Sequence, residues 1–237
     1  MTDAEFREKL LQVMDRKDHP AWKRWISSGI RRDQLLLHFQ QEWLVFVRDF
    51  PQFLGRVHGR CPIPEVRRAL AANIYEEETG GLSFKKPHPE LFLDMMSALG
   101  FSREQFEEAR LIPEAAAYRA YLDSAMTGPW VVGAAVVTLW IEGSVHERKA
   151  LAGEMEEDVE EKARDHFLVR HHGLKPNQLM LMRAHHAVEG GHRDDAWMIV
   201  MGHAKSPEQR EEVLQAMQTS CSLWHLYRDA VSRLAGV

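Results

Sequence analysis

Cysteine is scarce in this chain: Cys61 and Cys221 are the only two among 237 residues. That is too few for a disulfide framework and fits a reducing compartment. Long apolar runs are missing too, since the longest, residues 131–141, falls well short of the roughly 18 residues of a membrane span. The opening Met1-Thr2-Asp3-Ala4-Glu5-Phe6-Arg7 is charged and lacks the apolar region of a signal peptide. A cytoplasmic location is therefore expected. Basic excess is also absent: the formal net charge is −5, which leaves no electrostatic footprint for nucleic acid. The acidic run at residues 154–161 reads as a solvated helix face. No internal repeat, low-complexity tract or Gly/Ser/Pro-rich linker divides the chain, so residues 1–237 are expected to form one domain.

What the chain does have is helical periodicity. Leu36, Phe39, Trp43, Phe46 and Phe50 recur at three- and four-residue steps, as on an amphipathic helix facing a core. No alternating strand pattern of comparable length occurs. Helix starts are marked at Asp3, at Pro62-Ile63-Pro64, at Ser102 with Gln105 three residues on, and at Ser206-Pro207. Stops fall at Gly29, Gly80-Gly81, Gly100 and Gly173, and residues 79–89 read as a loop. The expectation is an all-α, single-domain bundle of about seven helices.

Thirteen histidines are the compositional oddity, and one group of them is patterned. His185, Glu189 and His192 stand at i, i+4 and i+7, within a narrow stripe of one helix face. Imidazole with carboxylate suits iron, zinc or manganese. His186 in place of His185, or core and surface histidines without a ligand, are the competing readings. Gly190-Gly191 sits inside the stripe at a cost of about 1 kcal/mol each relative to alanine, which suggests a distortion or close packing there.

Two further carboxylates join the stripe. Glu142 extends the apolar run 131–141, where a buried carboxylate costs several kcal/mol unless paired or ligating. Of Glu76, Glu77 and Glu78, only one can share the inward face of Leu70, Asn73 and Ile74, and Glu77 has the spacing. His88 follows ten residues beyond Glu78. A solvated end for Glu142 and a charged helix end for the Glu76–Glu78 cluster are the bland alternatives. Taken together, three carboxylates and three imidazoles suit a two-metal site between helices.

Several segments carry a family resemblance: His19-Pro20-Ala21-Trp22, Phe50-Pro51-Gln52-Phe53-Leu54, Asn73-Ile74-Tyr75-Glu76-Glu77-Glu78, His88-Pro89-Glu90-Leu91-Phe92, Ile141-Glu142-Gly143 and the final His-x3-Glu-x2-His. The chain resembles the haem-oxygenase-like diiron oxidases and oxygenases, within the fold group of thiaminase II and pyrroloquinoline-quinone synthase. The resemblance implies Glu77, His88, Glu142, His185, Glu189 and His192 as ligands. His88 stands farther from its Glu than in many relatives, and Glu189 replaces a more common Asp.

The same resemblance implies two Fe(II) ions, with manganese as the other metal, and O₂ as co-substrate. Its outcomes include N-oxygenation, oxidative C–C cleavage and decarboxylation of a small organic substrate. Phe39, Trp43, Phe46 and Trp140 are expected to line the substrate pocket. The expected partner is that small molecule, with no nucleic acid and no membrane, and a homodimeric assembly is expected. Relatives that make p-aminobenzoate from their own tyrosine carry tyrosine before the central Glu. Ile141 stands there here, and Glu42-Trp43 occupies the place of another tyrosine pair, so self-sacrifice is not expected. The alternatives are a cofactor-free oxidase resembling pyrroloquinoline-quinone synthase and a non-catalytic binding protein.

Overall fold

The computed structural model describes residues 1–154 and 158–237, and every side chain within them except that of Glu189. Its described residues contain helices and no strand. In chain order these are α1 (Asp3–Asp15), α2 (Trp22–Trp25), α3 (Arg32–Glu42), α4 (Phe50–Arg60), α5 (Pro64–Thr79), α6 (His88–Ala98) and α7 (Arg103–Glu107). Then come α8 (Pro113–Thr127), α9 (Trp130–Ala134), α10 (Glu147–Leu151), α11 (Val159–Asp165), α12 (Phe167–His172), α13 (Met180–His203) and α14 (Pro207–Ala235).

The expected count of about seven is thus too low. The extra elements are mostly four to seven residues long, too short to show an apolar period but long enough to close a backbone hydrogen-bonded turn. The middle of the acidic run, Met155, Glu156 and Glu157, lies outside the described residues, and α11 starts after it on an Asp158 cap.

Local sequence sets many boundaries. Thr2 caps α1, while Ser102 and Ser206 form capping boxes with Gln105 and Gln209. Gly80 ends α5 in the left-handed region at φ 60°, and its missing Cβ lets the backbone of Lys86 fold against it. That turn brings the chain straight back into α6, so His88 returns beside the end of α5. Gly29, by contrast, ends no helix, because α2 already stops at Trp25.

Two helices change pitch. Trp43–Val47 continues α3 as a π-helix, and Ala135–Ile141 does the same for α9. Insertions of this kind are rare and concentrate at functional sites. The Gly190-Gly191 pair, where distortion was expected, lies in uninterrupted helix, and an added Cβ at either meets nothing within 4 Å.

The main core is built by α1, α4, α8, the α9 run and α14, with Phe6, Phe53, Tyr118, Trp140 and Tyr227 fully enclosed. A second apolar cluster joins α3, α6 and α7 to the α11–α13 region through Phe39, Trp43, Phe92 and Phe106. No helix among the described residues is long and apolar enough to cross a membrane.

Candidate metal centre

The ends of α5 and of the α9 run, the start of α6 and the middle of α13 form one wall of a cavity of about 550 Å³. Glu77, His88, Glu142, His185 and His192 all line it. Glu189 belongs to α13, but its side chain lies outside those described.

Glu77, His88 and His185 each offer a ligand atom, and these atoms lie within 4.8 Å of one another. His88 Nδ1 stands 2.9 Å from Glu77 Oε1, yet it is buried without an aligned hydrogen-bond partner. Two donors aimed at a shared point give this geometry, since ligand atoms at right angles around an ion about 2.1 Å away are separated by roughly 3 Å. His185 faces the His88 ring at 5.0 Å between centroids. His186 also lines the cavity but is not one of the three.

On the same cavity wall Glu142 and His192 form a second pair. His192 Nδ1 is 3.4 Å from Glu142 Oε1, while its Nε2 is buried with no partner. Asn73, one turn before Glu77, donates to both Glu142 oxygens at 3.0 Å. The orphaned imidazole nitrogens and the mixed N/O donor set fit iron or manganese.

Electrostatics divide the histidines. Burial pushes His88 down, but the adjacent carboxylates of Glu77 and Glu76 win and hold it above its ordinary value. His192 is raised in the same way, chiefly by Glu142 against its burial. His185 opens onto the cavity yet is surrounded by protein, and desolvation lowers it to about 4 despite Glu77. A metal must therefore displace protons from His88 and His192 but not from His185. Apparent metal affinity is expected to rise with pH through the ordinary histidine range and above it, with proton release on uptake. Chelator competition at both ends of that range checks this, and equal affinities would contradict it.

Behind the ligand atoms lie residues that the sequence pattern did not single out. Glu76 is completely buried, whereas only Glu77 of its cluster was expected to face inward. The chain returning through residues 80–88 covers the second face of the helix end. Glu76 accepts from the backbone N–H of Leu82 at 2.6 Å, from Ser83 Oγ and from His88 Nε2 at 3.0 Å. Burial alone raises its carboxyl, but those hydrogen bonds outweigh it and hold it low. A carboxylate on the far nitrogen of a ligating histidine fixes the ring's orientation and tautomer. Glu147, buried after the π segment, accepts from Ser144 N at 3.0 Å and Trp197 Nε1 at 3.1 Å, tying the strand of chain after Glu142 to α13.

Lys17 supports the same segment from α1's side. Its ammonium donates to the carbonyls of Trp140 at 2.7 Å and Ile141 at 3.2 Å, and to that of Gly143. These carbonyls flank Glu142 where the helix ends and would otherwise lack partners. Burial lowers the Lys17 ammonium to about 8. Lys17→Met is expected to lower metal affinity roughly tenfold, the scale of outer-shell losses, with Lys17→Arg restoring most of it. Chelator competition on folded variants measures it, and unchanged affinity in the methionine variant would assign Lys17 a purely structural role.

Residues 37–225 match the model of the iron-containing redox enzymes. The chain belongs to that family. Among solved structures, a TenA homologue from Pseudomonas syringae pv. tomato superposes with a TM-score of 0.74 at 15% identity, covering 97% of this chain and 92% of that one. A domain with a heme oxygenase-like fold from Shewanella denitrificans gives 0.72 at 14% identity, over 98% and 93%. A CADD-like protein from Nostoc punctiforme gives 0.66 at 14%, over 98% and 95%. These likenesses establish a haem-oxygenase-like fold. In sequence, the 4-aminobenzoate synthase of Chlamydia muridarum is 27% identical over 100 residues, 42% of this chain and 40% of that enzyme. The match therefore spans well under half the length of either protein.

This iron-redox family member differs from the expected pocket in two positions. Phe39 and Phe46 line the cavity. Trp43 does not: it stacks on Phe92 at 5.6 Å and faces a separate groove with Arg48 and Arg103. Trp140 does not line it either, because its ring turns into the core, donates to Tyr118 OH at 2.9 Å and meets Trp224 edge-on. Trp140 stands two residues before Glu142, a spacing that puts the two on opposite sides of a helix, while Trp43 turns to its neighbours Phe92 and Phe106 instead.

Proposed function

We propose that this iron-redox family member is a non-haem diiron oxidase or oxygenase acting with O₂ on a small organic molecule held in the cavity. The observation that carries the reading is the convergence of Glu77, His88 and His185 with partnerless imidazole nitrogens on an internal wall. Glu77, His88 and His185 would hold one ion, and Glu142 and His192 the other, with Glu189 assigned to the pair by its place in the motif. Two ferrous ions, when bound, supply electrons to O₂ and the oxidising power used on the substrate.

The chain's own residues do the rest. Glu76 and Asn73 orient His88 and Glu142. Phe39, Phe46, Leu139 and Ile141 give the cavity dry walls that exclude water from the reacting centre. The substrate is proposed to enter from outside rather than to be a protein side chain. Ile141 lines the cavity where p-aminobenzoate-forming relatives carry tyrosine, Glu42 is ion-paired to Arg228, and Trp43 faces away. No tyrosine is among the described residues lining the cavity.

Anaerobic loading with Fe(II), removal of unbound metal and colorimetric assay should find about two irons per chain, followed by O₂ consumption on exposure to air. Uptake of no iron would overturn the reading and favour a cofactor-free oxidase, for which the cavity's Arg228 and His38 would be the anion-holding groups.

A further inference from the structure

Behind the cavity wall, three buried aromatic side chains form a line of contacts that the metal centre does not use. Trp140 donates its Nε1–H to Tyr118 OH at 2.9 Å. Tyr118 stacks on Tyr227, with ring centroids 5.8 Å apart and planes 17° from parallel, a favourable ring pair. Tyr227 OH in turn donates to Glu42 Oε1 at 2.7 Å. Each of the three rings is 1% exposed, and none of them lines the cavity. Both ends of the line nevertheless reach the site: Trp140 stands two residues before Glu142, and Glu42 lines the cavity.

Sealed off in this way, the rings cannot be attacked by a molecule held in the cavity, but they can exchange an electron through contact. Where a missing electron settles depends on the proton. An oxidised phenol or indole is a strong acid, so the electron leaves easily only where a base stands within hydrogen-bond reach, about 2.6–3.2 Å. Trp140 gives its N–H to a neutral phenol, which is no base, and the Lys17 ammonium 5.1 Å from its ring repels positive charge. Beside that indole, Tyr118 has only Ser220 Oγ, at 3.1 Å. Trp224, edge-on to Trp140 at 6.2 Å, has the Arg228 guanidinium carbon 4.9 Å from its ring. Tyr121 donates to the carbonyl of Ala216, and Tyr75 is exposed.

Among these aromatic groups, Tyr227 is the one given to a carboxylate. Arg228 also stands 5.2 Å from its ring, but a proton passed to Glu42 leaves a neutral ring for the guanidinium to face. Arg228 is ion-paired to that same carboxylate, which favours its ionised form and so the proton's return. Burial holds the Tyr227 phenol well above its ordinary value, so the resting ring keeps its proton.

We propose that Tyr227 is a reversible one-electron donor, with Glu42 as its proton acceptor and Tyr118 and Trp140 as the path to the metal-bearing helix. The electron passes to the oxidant that O₂ generates at the iron centre, which is reduced by one electron. The Tyr227 O–H bond breaks, the proton moves to Glu42 Oε1, and a neutral phenoxyl radical faces a carboxylic acid. A one-electron reductant of the thiol or ascorbate class then returns the electron, and the proton moves back. With no substrate bound, this drains the oxidant into a buried ring and spares the cavity wall. Tyr227 lies on α14, at neither of the two places where p-aminobenzoate-forming relatives carry tyrosine, and it is not consumed. Naming the iron centre as the oxidant rests on the diiron reading; the ease of oxidising Tyr227 does not.

Two measurements test it, both in Tyr75→Phe, which silences the exposed phenol. The first oxidises metal-free protein with light-generated tris(bipyridine)ruthenium(III) and reads the frozen sample by electron paramagnetic resonance. A phenoxyl signal should appear and be lost in large part when Tyr227→Phe is added. With Glu42→Gln, which keeps a hydrogen-bond acceptor but no base, it should form about tenfold or more slowly, since a positioned proton acceptor contributes at least that much. Where one of these variants does not fold, the other decides. No phenoxyl signal, or one indifferent to either substitution, overturns the proposal.

The second measurement loads Fe(II) and admits O₂ without substrate, and the same Tyr227-dependent signal should form. Iron that loads and consumes O₂ without that signal overturns the donor role at the metal centre. Iron that does not load sinks the diiron reading, and the metal-free measurement then decides for Tyr227 by itself.

Discussion

Glu142→Ala and His185→Ala are each expected to cut retained iron from about two per chain to about one or fewer, with affinity falling about 100-fold. The magnitude follows from sharing roughly 10–16 kcal/mol of a closed protein metal site among four ligands, which gives about 3 kcal/mol apiece. Glu142 is held by Asn73 through both oxygens and neighbours His192, so its loss also frees the second imidazole. His185 is one of three side chains whose ligand atoms converge. His186→Ala is the matched control and should retain iron, because its neighbour, not His186, joins that group. Full iron retention in the Glu142 and His185 variants would remove these residues from the site.

Glu76→Ala is expected to damage both folding and metal binding. The buried carboxylate accepts from Leu82, Ser83 and His88, and each donor left without an acceptor costs about 1–3 kcal/mol. Denaturant titration of the metal-free protein should therefore show a loss of at least about 2 kcal/mol. Metal affinity should drop a further 10–100-fold, roughly, because His88 loses the partner that orients its ring. Glu78→Ala, an exposed change two residues away, should leave both nearly unaltered. A Glu76 variant as stable and as tight-binding as the natural chain would show that the carboxylate is a bystander.

These substitutions probe features of different legibility. His185 and His192 stood out because a regular helix maps sequence spacing onto one face, and α13 runs regularly through them. Glu142 stood out because a carboxylate ends an apolar run. Glu76 did not stand out, since a helix buried on one face hides only one of three consecutive glutamates. The loop that returns to His88 buries a second.

Nearness along the chain misled about tryptophan. Trp140, two residues before Glu142, lies on the opposite side of its helix, and Trp43 turns to Phe92. The changes of pitch at Trp43–Val47 and Ala135–Ile141 are announced by no residue in either segment. Gly190-Gly191, the local signal that was available, instead lies within plain helix.

The sequence by itself determined the all-α character, several helix ends through caps and left-handed glycines, the ligand types and membership of a recognisable fold group. Those properties are local, set by propensity, capping and spacing within a few turns. Only the tertiary structure decided which glutamates are buried, that Lys17 supports the end of the Glu142 helix and that Arg228 faces the same cavity as the metal ligands. Lys17 and Arg228 meet residues scores of positions away and Glu76 a loop folding back onto its helix, and burial, which sets their cost and their chemistry, exists only once the helices pack.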